Sequence, residues 1–315
     1  MLPYVIAFFA FLTALIFIAA VYFSKIVLYM RTHNDLDIFL AEAEARKFDK
    51  DVYERLTKQE VRIDSPMGYP LHAVFIPAPG PASSRKTVIL AHGVTSSHSG
   101  MIKYMDLFLP RGFNVLAYDH RRHGKSGGTT TTYGLYEKLD LKACVDWVFE
   151  KTGPESVIGI FGESMGAATA LQHAAIDSRA AFYIADCPYS DFTEQLKYRL
   201  RIEYRLPAFP LIPIVSFVAW LRSGFRFGAA SPIRTLHKVE VPVLFIHGTE
   251  DTYIPKEMSV DLYEKKEGVK GLYLAPNADH AEAYWKNKEE YNQIVGQFLE
   301  GIGVIKPQLQ KAQAE

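Results

Sequence analysis

Gly162-Glu163-Ser164-Met165-Gly166 is the stretch on which the fold of this chain turns. The apolar run Ser156-Val157-Ile158-Gly159-Ile160-Phe161 precedes it, and the small-residue run Ala167-Ala168-Thr169-Ala170-Leu171 follows it. Strand, G-x-S-x-G, then helix is the context of a nucleophile elbow. So sharp a turn strains the backbone of the central serine and pushes its hydroxyl outward. Gly162 and Gly166 flank Ser164 because strand and helix cross too closely there for a Cβ. The pattern also arises by chance, so the rest of the chain has to supply partners.

Outward from the elbow, apolar strand-like runs at 87–91, 113–118, 180–185, 241–246 and 271–274 alternate with helical patterns, among them 97–109 and 135–150. This alternation predicts a mostly parallel central sheet covered by helices on both faces, an α/β fold. Functional residues then belong at the C-terminal ends of the strands. The runs 61–63 and 71–75 flank Ser65-Pro66-Met67-Gly68, which predicts a hairpin leading into the sheet. The stretch 188–236 breaks the alternation. It is aromatic and aliphatic, its charges are mostly arginine, and Pro207, Pro210 and Pro213 divide it into short helices. It reads as a cap over the strand ends.

A serine hydroxyl is a weak nucleophile and needs a base. His280, in Asn277-Ala278-Asp279-His280-Ala281, lies just past the last strand-like run. Asp251, in Thr249-Glu250-Asp251-Thr252, follows the preceding run and is the acid expected to orient His280; Glu250 and Asp279 are its neighbouring rivals. The developing oxyanion needs donors. The amide of Met165, at the start of the helix after the elbow, is one. The amide of Val94, after His92-Gly93, is the other, with Thr95 as the fallback, while His92 reads as a ring that holds its own loop. His120 and His123 form an H-x-x-H on the glycine-rich loop that starts at Asp119, but no third ligand is near in sequence, so no metal is expected.

The 315 residues hold 35 Lys+Arg against 35 Asp+Glu, so no global field favours nucleic acid. The two cysteines, Cys144 and Cys187, read as buried thiols. Residues 2–24 carry no charge and are long enough to cross a bilayer. Lys25 and Arg31 follow closely, which by the positive-inside rule puts the remainder of the chain in the cytoplasm. The expected organisation is a transmembrane anchor at 1–30 and an amphipathic, solvated juxtamembrane connector at 31–60. The sheet domain follows at 61–187 and 237–303, with the cap insertion at 188–236 and a flexible tail at 304–315. The anchor is expected to be separable: removing the first 30 residues should leave a soluble, active protein.

These motifs together resemble the α/β-hydrolase superfamily. The resemblance rests on His92-Gly93-Val94, the loop YDHRRHGKSGG from Tyr118, GESMG, HGTEDTYIP and ADHAEAY, and spans about 61–299. The order Ser164, Asp251, His280 is the order of that fold. The branch resembles the serine-aminopeptidase-like and monoacylglycerol-lipase-like hydrolases, and within it the membrane-anchored hydrolases of Gram-positive bacteria. The resemblance implies a serine hydrolase that needs no cofactor. The expected substrate is a small acyl ester, lipid-like or amphiphilic. An aminopeptidase or other amidase on the same residues is the alternative, and a non-catalytic, membrane-anchored binding protein is the alternative of a different class. Oligomeric state is left open.

Overall fold

The computed structural model describes residues 1–80 and 84–307. Three helices open the chain: α1 (Leu2–Leu28), α2 (Asp35–Glu44) and α3 (Lys50–Arg55). The hairpin β1 (Gln59–Asp64) and β2 (Pro70–Ile76) follows, then β3 (Lys86–Ala91). The short helix α4 (Met105–Phe108) lies between two 3-10 turns, His98–Tyr104 and Leu109–Arg111. Next come β4 (Asn114–Tyr118), α5 (Glu137–Thr152), β5 (Val157–Glu163), α6 (Met165–Ala174) and β6 (Phe182–Asp186). The insertion holds α7 (Phe192–Tyr204), α8 (Leu211–Ser223) and α9 (Pro232–Thr235). The chain returns through β7 (Val243–Gly248), α10 (Glu257–Lys265), β8 (Lys270–Ala275), α11 (Ala283–Lys286) and α12 (Lys288–Gly301).

The strands form one eight-stranded sheet in the order β1-β2-β4-β3-β5-β6-β7-β8. β2 runs antiparallel to β1 and β4, and every pairing from β4 to β8 is parallel. Side chains of one strand alternate between faces. Val88 and Leu90 of β3 join the core under α4 and α12, whereas Ile89 and Ala91 join the core under α5, α6 and α10. The strand order reverses around β3, with β4 on one side and β5 on the other. The crevice beyond the C-terminal ends of β3 and β5 is therefore a switch point, where open α/β sheets bind ligands.

Three expectations change. The helix expected over 97–109 is mostly 3-10, because Gly100 weakens it and the His98 amide is bound by Asp119 Oδ1 at 2.7 Å, outside the helix. Pro213 does not end a helix. It sits in the first turn of α8, where backbone amides have no intrahelical partner to lose. The connector is docked rather than solvated: its Phe48 and Tyr53, with Phe39 of α2 packed on them, join the core cluster that holds Val88, Leu90 and Tyr104 of the sheet domain, and Asp35 bonds Ser97 Oγ at 2.5 Å. Most of the expected tail, from residue 308 on, lies outside the described residues.

α1 is long and apolar enough to cross a membrane, with mean hydropathy 2.7 in its best window. Its first two-thirds stand free of the protein, but Ala20, Ser24, Val27 and Leu28 are buried. Ala20, Val27 and Leu28 pack with α8 and the cap in a third apolar cluster that includes Tyr133, Met165 and Phe192.

Candidate active site

Ser164 follows the last residue of β5, with φ 56° and ψ −117°, a left-handed conformation that costs energy for a residue with a side chain. Its amide donates to Asp186 O at 2.8 Å, tying the turn to β6. A Cβ on Gly166 would collide with the Ala91 carbonyl of β3, and one on Gly162 with the Gly166 backbone. Only glycine permits α6 to leave β5 this tightly, and that tightness holds the serine above the sheet.

Three residues far apart in sequence meet there. His280 Nε2 lies 2.9 Å from Ser164 Oγ, and His280 Nδ1 lies 2.7 Å from Asp251 Oδ2. Asp251 Oδ1 accepts from the amides of Tyr253 and Ile254 at 2.9 and 2.8 Å. His247 Nε2 approaches Oδ2 at 3.1 Å. Burial by itself would raise this carboxyl, but the hydrogen bonds from His247 and His280 outweigh it and hold Asp251 well below the usual carboxylate range. The rival acids are turned to other tasks. Asp279 Oδ1 accepts from the amides of His280 and Thr252, and Glu250 is exposed.

The loop after β3 lies against the serine: a Cβ on Gly93 would sit 3.3 Å from Ser164 Cβ, and Val94 lines the same cavity as Ser164 and Met165. His92 supports this loop rather than facing the serine. Its Nδ1 bonds Gly93 O at 2.6 Å and its Nε2 accepts from the His120 amide at 2.9 Å. His123 Nε2 accepts from the Thr95 amide at 3.2 Å. Burial, with His123 beside it, pushes His92 down to about 3, and burial also lowers His120 and His123. Neutral rings are what the geometry needs, because an imidazolium has no acceptor. Asp119 accepts from His72 Nδ1, His98 Nδ1 and the amides of His98 and Lys125, at 2.7 to 3.0 Å. Those imidazole nitrogens are spent on the carboxylate, which pins the glycine-rich loop.

Beneath the elbow lies a buried polar cluster. Glu163 pairs with Lys103 at 2.7 Å and accepts from Tyr104 Oη at 2.7 Å. Asp186 accepts from Tyr291 Oη at 2.9 Å. Burial and the neighbouring Glu163 charge push Asp186 up to about 6, while Lys103 outweighs burial at Glu163 and lowers it.

Ser164 opens into an apolar cavity of about 200 Å³. Tyr189, Leu196, Leu211 and Val215 form its cap side. Phe23, Ile26, Val27 and Met30, from the end of α1 and just beyond, form another side. The N-terminal helix thus forms part of the cavity wall, where the sequence had predicted an anchor separable from the site.

A family model described as the alpha/beta hydrolase fold matches residues 86–211. The uncharacterized protein YqkD of Bacillus subtilis (strain 168) is 46% identical over 295 residues, 93% of this chain and 95% of its own. The chain belongs to the alpha/beta hydrolase family. Among solved structures this hydrolase is similar to the Pyrococcus furiosus esterase Pf2001, at 30% identity and TM-score 0.65, over 81% of this chain and 94% of that one. It is also similar to the lysophosphatidylserine lipase ABHD12 of Danio rerio, 24% identical over 190 residues, 58% of this chain and 47% of that protein.

Sequence reasoning missed three contributors to the hydrolase's site. His247, in the HGTED segment, was quoted only as part of a motif, though its place at the end of β7 sets it beside Asp251. Lys103 lies in the helical pattern over 97–109, where a lysine reads as solvent-facing. Tyr253, whose ring lies tilted 4.9 Å from that of His280 with Arg199 4.1 Å over it, was likewise quoted only as part of the HGTEDTYIP motif.

Proposed function

We propose that this hydrolase cleaves an ester of an acyl-chain or amphiphilic substrate by a serine acyl-enzyme mechanism. The observation that carries the reading is His280 bridging Ser164 Oγ and Asp251 at hydrogen-bond distance, at the mouth of an apolar cavity. Ser164 Oγ attacks the ester carbonyl carbon as its proton passes to His280 Nε2. Asp251 keeps the Nδ1 proton in place and stabilises the imidazolium. The amides of Met165 and Val94 receive the oxyanion; Met165 is the first residue of α6, so its amide has no partner one turn back. Collapse of the tetrahedral intermediate expels the alcohol, which takes the proton from His280. Water, deprotonated by His280, then attacks the acyl-serine and releases the acid. Every step uses side chains and backbone of this chain and no cofactor.

The amidase reading needs a carboxylate available to a substrate's free amine. Glu203, in the cavity lining, is already paired with Arg199, which favours the ester. α1 serves as a single-pass membrane anchor, with Lys25 and Arg31 on the cytoplasmic side beside the catalytic domain. The test is turnover of p-nitrophenyl esters of increasing chain length beside aminoacyl-p-nitroanilides. Faster kcat/KM on esters, rising beyond acetate, is expected; faster anilide cleavage would overturn the preference.

A further inference from the structure

We infer that the membrane helix is one wall of the acyl site, and that the acyl chain of a membrane amphiphile reaches Ser164 laterally, through the seam between α1 and cap helix α8. The inference rests on the ester-hydrolase reading above and adds to it the source and route of the substrate.

The end of α1 is built into the site. Phe23, Ile26 and Val27 face the same cavity as Ser164, with Leu211 and Val215 of α8 also in its lining. The last carbonyls of a helix lack intrahelical partners, and here the catalytic domain supplies them. The Thr131 amide donates to Leu28 O at 3.0 Å, Tyr133 Oη to Val27 O at 3.1 Å, and Arg122 Nη1 to Met30 O at 2.6 Å. Just beyond, the His33 amide donates to Thr95 O at 2.9 Å, on the loop that carries Val94. These bonds fix the rotation and height of α1 against the serine, which an anchor acting only as a tether has no need of.

The seam faces the bilayer. α8 is apolar on every side: Ile212, Val215 and Ala219 are buried, while Phe217, Trp220 and Leu221 are exposed on the opposite stripe. A helix apolar all round belongs in a protein core or in lipid, and half of this one is outside the core. Its neighbour α1 is itself of membrane-spanning length. A hydrocarbon layer of about 30 Å takes about 20 helical residues at 1.5 Å each, which from Leu2 reaches Val21. At that level α8 joins α1: Arg222 Nη1 bonds Ser24 Oγ at 3.0 Å and reaches Val21 O at 3.4 Å. Tyr22 falls at the depth of an interfacial aromatic belt, with Lys25 and, through its bond to Ser24, Arg222 at head-group level. A chain leaving the leaflet thus passes from lipid to Phe23, Ile26 and Val215 without crossing water, and its ester arrives at Ser164.

The full-length protein, reconstituted in phosphatidylcholine–phosphatidylglycerol vesicles, tests this with a series of 4-methylumbelliferyl esters from acetate to palmitate. Ile26→Trp, which fills the cavity from the α1 side, is expected to lower the palmitate-to-acetate ratio of kcat/KM by about tenfold or more, the scale of discrimination by apolar pockets. Ile26→Ala, which cannot block folding by overpacking, is expected to move the chain-length optimum upward. Leu15→Trp, on the free part of α1, should keep the wild-type ratio. Wild-type ratios and optima in both Ile26 variants, with full fluorophosphonate labelling, would overturn the lateral route and leave the hydrolase reading standing. Failure of the wild type to label would instead remove the hydrolase reading.

Discussion

Asp251→Asn separates the orientation of His280 from everything else the site does. Asp251 Oδ1 serves two loop amides, of Tyr253 and Ile254, and Oδ2 serves two imidazoles. Asparagine has one oxygen and one NH2 to put in these two places. With the NH2 toward the loop, two buried amides lose their acceptor, at about 1–3 kcal/mol each. With the oxygen toward the loop, both amides are kept and the NH2 faces the imidazoles. His247 Nε2 retains Ile254 O, 2.9 Å away, as an acceptor. His280 relieves the contact by taking the tautomer with Nδ1 bare and the proton on Nε2. That proton then points at Ser164 Oγ, 2.9 Å away, and the ring can no longer accept one. The fold is kept and the base is lost. We expect kcat for a p-nitrophenyl ester to fall by about 10³–10⁴, which is ~4–5 kcal/mol of barrier, with KM little changed. Initial rates from pH 6 to 9, beside a thermal midpoint to show that the fold persists, provide the assay. A folded variant within tenfold of wild-type kcat would refute the tautomer argument.

Other outcomes follow from the same contacts. Ser164→Ala and His280→Ala should each remove most turnover, and the double variant should lose little more, because the residues act as a unit; a double loss equal to the product of the single losses would contradict this. Lys103→Met leaves the buried Glu163 carboxylate without its ion-pair partner, and should destabilise the protein by about 3–5 kcal/mol in chemical denaturation. Asp140 is raised to about 7, chiefly by burial, against about 3.9 when unfolded. The native carboxyl holds its proton where the unfolded one has lost it, so stability falls as pH rises from about 4 to 7, by at most ~4 kcal/mol. Asp140→Asn should remove the larger part of that decline in thermal midpoint and leave the share of Asp186, which ends near pH 6; an unchanged decline would refute the role of Asp140.

The elbow, the order of the three residues and the parallel sheet were legible because each is written locally. Gly162 and Gly166 report a backbone approach, and Asp251 and His280 announce themselves by lying just after strand-like runs. The end of α1 was not legible in this way. An uncharged run of twenty-three residues says only that it prefers lipid, and nothing in Phe23, Ile26 or Val27 distinguishes a side chain facing a cavity from one facing acyl tails. The connector was misjudged for a related reason: Asp35 and Phe39 fit a solvated amphipathic helix equally well until the tertiary fold brings Ser97 to Asp35 and the sheet-domain core to Phe48, Tyr53 and the Phe39 packed on them. Lys103 was hidden because a buried cation is intelligible only beside its partner, and Glu163 is sixty residues away along the chain.

The most direct measurement is intact-protein and peptide mass spectrometry after reaction with a fluorophosphonate. A serine activated as the His280 geometry requires should give one adduct per chain, on the peptide carrying Gly162-Glu163-Ser164-Met165-Gly166 and at Ser164 itself, with none on Ser164→Ala. No adduct on the folded wild type, or one on any other residue, would contradict the assignment of Ser164 as the nucleophile.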